Sequence, residues 1–333
     1  MVNKEGKNIL NIAIIGCGNI GSRHLQALSL IKEGAIIYLV DNSTQSIDIS
    51  KERFEQVVNK EDRKNFKIKV RRINEIESDI DVAIIATSSL NRAMLTKELI
   101  EHNNIKYIIF EKFLFQNRSD YSEIQSLLKE NGIKAWVNQW MSSSDAFQEM
   151  ANWFDRNLKE IIIDGKNWGM ACNSVHFLDY LDSLSGRTDL NIQASDVDKK
   201  VLKSKRPGYY ELTGTIAIQS NNGVKLILSS SNLKTDGVIH IKMSGGNKRL
   251  EATLSIDEIS CNFYDGDSKK SFKRYTLPMQ SKTTGDTVQN IFKNGVCSLP
   301  TYEQSVKHHL ILFDCFDNVF METLQLNSKC PIT

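Results

Sequence analysis

A chain of 333 residues with 41% hydrophobic and 25% charged residues has the make-up of a globular protein long enough for two domains. Its 42 basic and 40 acidic residues leave a formal charge of +2, which gives nucleic acid or an anionic membrane no reason to bind. The charged opening MVNKEGKN and the strand-length apolar run after it offer neither a signal peptide nor a membrane span, and six scattered cysteines without a C-x-x-C suggest no zinc site or disulfide framework. A reducing cytoplasm is the expected location, and no metal is expected. Taken in order, the chain first shows an apolar run, Ile12 to Ile15, that stops at Gly16; Gly18 and Gly21 complete G-x-G-x-x-G, and a helical pattern follows. Strand, tight turn and helix in this order place free N–H groups and a positive dipole end where a pyrophosphate can sit. A second apolar run ends at Asp41, 20 residues past Gly21, where a carboxylate can accept hydrogen bonds from an adenosine ribose.

Short apolar runs and helical patterns then alternate. A polar helix spans about 46–58, and a third strand is read over 66–73. Asp81 to Ala86 is a buried strand ending at Thr87 and Ser88. A helix over 91–102 presents Leu90, Met94, Leu95 and Leu99 as its apolar face. Tyr107 to Phe110 is a strand ending at Glu111-Lys112, a helix covers 119–131, and Lys134 to Asn138 is a sixth strand. This alternation predicts a doubly wound parallel sheet over 1–138, an α/β dinucleotide-binding (Rossmann) domain. From 139 to 333 the pattern changes to an α+β domain. Helices are read over 146–154 and 173–184. Then come strands of period two, in which Ile239, Ile241 and Met243, then Leu250, Ala252, Leu254 and Ile256, then Ile259, Cys261 and Phe263 form one apolar face. A large open antiparallel sheet is expected, followed by a last helix over 302–324.

Three strings, GCGNIGSRH at the first turn, EKFLF after the fifth strand and WGMACNSVHFLD in the second domain, together resemble the Gfo/Idh/MocA oxidoreductases, the glucose–fructose oxidoreductase and inositol dehydrogenase relatives. The resemblance implies an E-K-P lysine beside the nicotinamide, here Lys112, and a histidine in D-x-x-x-H-x-x-D acting as acid/base on the substrate hydroxyl, here His176, with Asp179 three residues on. The chain departs from the pattern twice. Phe113 replaces the proline that fixes the turn after the lysine, and Cys172, followed by Asn173, replaces the first aspartate. From the residues alone, Asn173 is either a substrate hydrogen-bonding group or a helix N-cap, and Cys172 either a site thiol or a small buried residue.

The expected catalytic pair is therefore Lys112 and His176. Gly16, Gly18, Asn19, Ile20, Gly21, Asp41, Thr87, Ser88 and Glu111 are the cofactor candidates, and Asn138, Trp168, Cys172, Asn173 and Asp179 the substrate candidates. NAD rather than NADP is expected, since Asp41 would repel a 2′-phosphate. The resemblance implies hydride transfer between NAD and a CH–OH group of a sugar; likeness to members of surface-polysaccharide pathways points to an activated sugar. A non-catalytic NAD-binding regulator or scaffold, and a C=N or C=C reductase of the same architecture, stay open as alternatives. Association into a homodimer or homotetramer through the second domain's sheet is expected.

Overall fold

The computed structural model describes residues 9–277, 279–326 and 328–333, so the charged opening octapeptide lies outside the described residues. The chain divides into two compact units. In the first, parallel strands β1 (Ile9–Ile15), β2 (Gly34–Val40), β3 (Phe66–Val70), β4 (Ile80–Ile85), β5 (Ile105–Phe110) and β6 (Lys134–Val137) form one sheet in the order β3-β2-β1-β4-β5-β6. The order reverses between β1 and β4, whose ladder pairs Ile12 with Val82 and Ile15 with Ile85. Helices α1 (Asn19–Leu28), α2 (Thr44–Glu55), α3 (Ser89–His102) and α4 (Arg118–Glu130) belong to the crossovers. The central strands are apolar on both faces because helices cover both sides, and Ile12, Ile14, Val82, Ile84, Ile108 and Phe110 are fully buried. The third strand is shorter than its apolar run, ending at Val70 before a 3-10 turn over Ile73–Glu75.

The sequence reading puts 139–333 in one domain, but residues 278–302 cluster with the first unit. They hold a helix the sequence reading lacks, α7 (Gln280–Asn294), which packs against α1. Val288, Ile291 and Leu299 join the core formed by Leu25, Leu28 and the β1 side chains. The apolar face read for α3 also differs: Leu90 and Met94 are more than half exposed, while Ser89, Arg92, Ala93, Thr96, Leu99 and Ile100 form the buried stripe.

The second unit carries α5 (Asp145–Asn152), β7 (Glu160–Lys166), α6 (Met170–Leu184), β8 (Leu190–Val197), and the two-residue strands β9 (Leu202–Lys203) and β10 (Tyr210–Glu211). Strands β11 (Gly214–Ser220), β12 (Lys225–Ser231), β13 (Ile239–Gly245), β14 (Lys248–Leu254), β15 (Glu258–Asp265) and β16 (Ser268–Thr276) follow, and almost all of the last helix, α8 (Tyr302–Leu324), closes the unit. Eight strands make a sheet in the order β16-β15-β14-β13-β7-β12-β11-β8. It is mixed rather than wholly antiparallel, because β7 and β12 pair in parallel. The period-two alternation predicts its faces: Ile241, Met243, Leu250, Ala252, Leu254, Ile259, Cys261 and Phe263 are buried, and His240, Lys242, Glu251 and Thr253 are exposed. Ile256 breaks the pattern at 93% exposure, because β14 ends at Leu254 and Ile256 falls in the following turn. Two-residue loops at Gly246-Asn247 and Gly266-Asp267, each with its glycine at positive φ, close the hairpins. Among the described residues, no helix is long and apolar enough to cross a membrane.

Candidate active site

In the first unit, the carboxyl ends of three adjacent strands bring the cofactor candidates together. β1 leads into Gly16–Gly21, β4 into Thr87-Ser88, and β5 into Glu111-Lys112. The turn needs its glycines: a Cβ on Gly21 would stand 1.8 Å from the Gly16 carbonyl oxygen, so only glycine lets α1 approach β1 this closely. Around Gly18 the space is open, with nothing within 4 Å of where its Cβ would be. Gly18 caps α1 without a side chain, no acid occupies the first turn, and Gly18, Asn19 and Ile20 are exposed. That is a helix start whose N–H groups suit an anion. Asp41, just beyond β2, accepts the Cys17 N–H at 2.6 Å through one oxygen and the Ser43 N–H at 2.7 Å through the other. The carboxylate is thus fixed against the turn. Burial, helped by the Asp41 charge, pushes the neighbouring Cys17 thiol up to about 12, so it stays protonated. Thr87 stands against Gly16, and its buried hydroxyl has no hydrogen-bond partner among the described residues. An uncapped helix start, open space at Gly18, a fixed carboxylate and an unused hydroxyl fit a dinucleotide.

Glu111 and Lys112 are held by a network that sequence reading missed. His24, 1% exposed, reaches Glu111 Oε1 from Nε2 at 2.9 Å and Thr284 Oγ1 from Nδ1 at 2.7 Å. An ionised carboxylate only accepts, so Nε2 carries the proton. Asn138 Nδ2 donates to the same Glu111 oxygen at 2.5 Å and to Gln280 Oε1 at 2.7 Å, and Gln280 donates to Thr284 at 2.7 Å. Asn138, a substrate candidate, thus spends its amide inside the first unit. Burial pushes the Glu111 carboxyl up, but the His24 hydrogen bond, helped by Asn138 and the Arg92 charge, overrides it and holds the carboxyl below its ordinary range. A depressed native value stabilises the fold above the unfolded-state pKa of about 4.3 and is lost as pH falls through the lower native value. Glu111→Gln is therefore expected to cost stability at pH 7 and much less at pH 3. Urea midpoints at both pH values check this, and an equal deficit at both would contradict it.

Lys112 is half-buried, its peptide bond to Phe113 is cis, and Phe113, Leu114 and Phe115 are fully buried. The turn after the lysine is gripped by Arg92, 2% exposed on α3, whose guanidinium donates to the carbonyls of Phe113, Leu114 (3.0 Å) and Thr87. Its signal in the sequence is an arginine on the helical stripe shared by Ala93, Thr96 and Leu99.

In the second unit, His176 lies in the second turn of α6, 6% exposed, with its ring 6.1 Å from that of Trp140. The helix begins at Met170 with Gly169 as its N-cap, so Asn173 is not the cap; it sits in the first turn and donates to Trp168 O at 3.1 Å. Cys172 Sγ lies 3.5 Å from Gly169 O. Trp168 is 7% exposed, donates from Nε1 to Ser229 O at 2.8 Å and packs edge-on against Phe177. Asp179, fully buried, accepts from Arg187 at 2.8 Å. The same guanidinium reaches Asp182 at 3.1 Å, and His308 Nε2 reaches Asp182 at 2.9 Å. Burial works against the Asp182 charge, but His308 and Arg187 override it and hold that carboxyl below its ordinary range. This cluster also went unread in the sequence, because His308 is 126 residues from Asp182 and Arg187, though near in sequence, lies beyond the end of α6, outside its helical spacing.

Residues 10–139 match the family model described as the oxidoreductase family with an NAD-binding Rossmann fold, Gfo/Idh/MocA. No curated protein matches the sequence. Among solved structures, the chain is similar to biliverdin reductase from Synechocystis sp. PCC 6803 in complex with biliverdin and NADP+, with 13% identity and TM-score 0.71 over 92% of this chain and 98% of that one. KijD10, a 3-ketoreductase from Actinomadura kijaniata in complex with NADP and TDP-benzene, has 12% identity and TM-score 0.66 over 92% and 96%. UDP-N-acetylglucosamine 3-dehydrogenase GnnA from Acidithiobacillus ferrooxidans has 10% identity and TM-score 0.66 over 92% and 97%. At these identities the structures share the fold, and the specific evidence lies in the matched segment. The match to the Gfo/Idh/MocA oxidoreductase family is thus carried by residues 10–139, the segment that family's model describes as its NAD-binding Rossmann fold.

Proposed function

We propose that this protein transfers a hydride between NAD and a carbinol carbon of a sugar or activated sugar derivative, with Lys112 and His176 serving the same step. The observation that carries the proposal is the convergence of the glycine turn, Thr87 and the Glu111–Lys112 pair at the carboxyl ends of adjacent strands flanking the β1/β4 reversal, where ligands of open α/β sheets bind. The nicotinamide, when bound, supplies the hydride chemistry. A ring nitrogen of His176 takes or returns the hydroxyl proton, the acid/base role for which an imidazole is the usual side chain. The Lys112 ammonium stabilises negative charge developing on the same oxygen. Near-complete burial shields the imidazole from bulk water. The names of KijD10 and GnnA make nucleotide-linked hexoses the first substrates to try. Incubation with TDP- and UDP-linked hexoses, their keto forms, free sugars and sugar acids, with each oxidation state of NAD and NADP, is read by nicotinamide absorbance. Cofactor that binds but never changes oxidation state across the panel would leave the regulator or scaffold reading in its place.

The cofactor is NAD in this proposal. Asp41 is anchored by two backbone N–H groups and cannot swing away from a 2′-phosphate. Calorimetry is expected to show tighter binding of NAD than of NADP, and Asp41→Ala to narrow the difference. Tighter NADP binding, as the NADP complexes of the similar structures would favour, overturns the assignment. Self-association through the exposed sheet face is also part of the proposal. That face forms a concavity of about 520 Å³ lined by side chains including Asp164, His240, Lys242 and Glu251, with Phe272 half exposed on the same sheet. Sedimentation showing monomer alone at micromolar concentration would remove it. Similarity to biliverdin reductase favours a second reading, reduction of a C=C or C=N bond; there His176→Ala would leave turnover largely intact.

A further inference from the structure

We propose that Glu211 is the carboxylate of the His176 site: it brings to the start of α6 the negative charge and hydrogen-bond acceptor that Cys172 cannot provide. The inference rests on the hydride-transfer reading of His176 and deepens it by naming the group that tunes the histidine and orients a substrate hydroxyl.

Glu211 sits on the two-residue strand β10 and is 9% exposed. A carboxylate so buried needs partners, and one is the helix itself: Oε2 accepts the Ala171 N–H at 3.0 Å. Gly169 caps α6 without a side chain, so this bond satisfies a first-turn N–H that the cap residue cannot, and the positive end of the helix favours the ionised acid. The second oxygen faces the site candidates. Around the point where a Cβ on Gly169 would stand lie Asn173 Nδ2 at 3.0 Å, Cys172 Sγ at 3.2 Å and Glu211 Oε1 at 3.6 Å. Gly169, at φ +77°, keeps that point empty, and thiol, amide and carboxylate converge on it. His176 follows Cys172 by four residues on the same face of α6, about 6 Å along the axis. The carboxylate therefore meets α6 at its first turn, the turn before the one that carries His176, and beside Cys172, where the related pattern has its aspartate. Further along α6, Asp179 and Asp182 are the other acids of the helix; Arg187 bonds to both and His308 to Asp182, whereas Trp140, packed on the imidazole ring, is uncharged.

A helix cap and a site carboxylate make different demands on Glu211, and Glu211→Gln separates them. Glutamine can still accept the Ala171 N–H, but it carries no charge. The test is an NMR titration of histidine ring protons in the full-length chain, with His176 assigned by its loss in His176→Gln, alongside thermal unfolding. Glu211→Gln is expected to lower the His176 pKa by roughly half a unit or more while moving the thermal midpoint by only about 2 °C. Adding Cys172→Asp to that variant should bring the pKa back up. An unchanged His176 titration in Glu211→Gln reduces Glu211 to a helix cap and overturns the proposal. Should Glu211→Gln fail to fold, Cys172→Asp alone decides. Beside an existing carboxylate the new one is repelled, so the thermal midpoint should fall with little change at His176. A rise of about a full unit at His176 would mean that no carboxylate was there. Because the titration needs neither cofactor nor substrate, absence of turnover across the sugar panel would sink the hydride-transfer reading while this result stood on its own.

Discussion

Replacing His176 with alanine is expected to slow turnover of whichever panel sugar is accepted by roughly 10²–10⁴-fold, the usual worth of a positioned acid/base, while calorimetry finds NAD binding unchanged. The expectation follows from placement. His176 belongs to the second unit, and the glycine turn, Asp41 and Thr87 to the first, so losing the imidazole leaves every cofactor-side group intact. Lys112→Ala should also slow turnover. The double variant should be little slower than the worse single one, because in the proposed step both groups serve one transition state and the second loss removes help already forfeited. Effects that multiply would mean that Lys112 and His176 act in separate steps. A His176→Ala loss of less than about 5-fold would favour reduction of a double bond, where no hydroxyl proton has to move.

Arg92→Ala is expected to remove about 3–5 kcal/mol of stability, comparable to breaking a buried ion pair. The guanidinium is 2% exposed and holds the carbonyls of Thr87, Phe113 and Leu114. Deleting it leaves these acceptors in a region water does not reach, at about 1–3 kcal/mol for each one left unmatched, and opens a cavity on α3. Lysine should recover only part, since an ammonium cannot span the fork with the same geometry. The Arg92 charge also helps hold the Glu111 carboxyl low, so the acid limb of unfolding should move to higher pH in Arg92→Ala. Urea unfolding followed between pH 3 and pH 7 measures both effects. A loss below about 1 kcal/mol would show that the arginine is dispensable to the turn after Lys112.

Within single elements the sequence was a good guide. The apolar run before Gly16, the spacing to Asp41 and the β-α alternation specify the parallel sheet and the position of its turn, because both depend on local periodicity and on three glycines. The alternation over 239–263 likewise assigns the sheet's faces, failing at Ile256 where the strand has already ended. What could not be read is what each face meets. On α3, leucine and methionine spacing competed with a stripe of serine, arginine, alanine and threonine, and the more polar stripe is the buried one because Arg92 finds carbonyls there. α7 escaped notice because QSKTTGDTVQNIFKN holds few apolar residues and a central glycine. That glycine has a long-range cause, since a Cβ on Gly285 would stand 2.6 Å from Ala27 O on α1. The partners of Glu111 (His24, Asn138), of Ala171 (Glu211) and, in His308, one of those of Asp182 come from residues distant in sequence, and no spacing rule connects them.

Because residues 278–302 complete the first unit, the nucleotide-binding half cannot be finished early during synthesis. When residue 138 leaves the ribosome, the face of α1 that α7 covers is bare, and Val288, Ile291 and Leu299 do not yet exist. At about 5–20 residues per second, the nascent segment waits on the order of ten to thirty seconds for them. During that interval the whole second-unit sheet is translated. The glycine turn is ready long before the His24–Thr284 and Asn138–Gln280 bonds that steady Glu111. An expression product ending at 138 would contain every residue proposed to hold the cofactor and still lack a wall of its own core. Keeping 1–138 joined by a short loop to 278–302 would restore that wall.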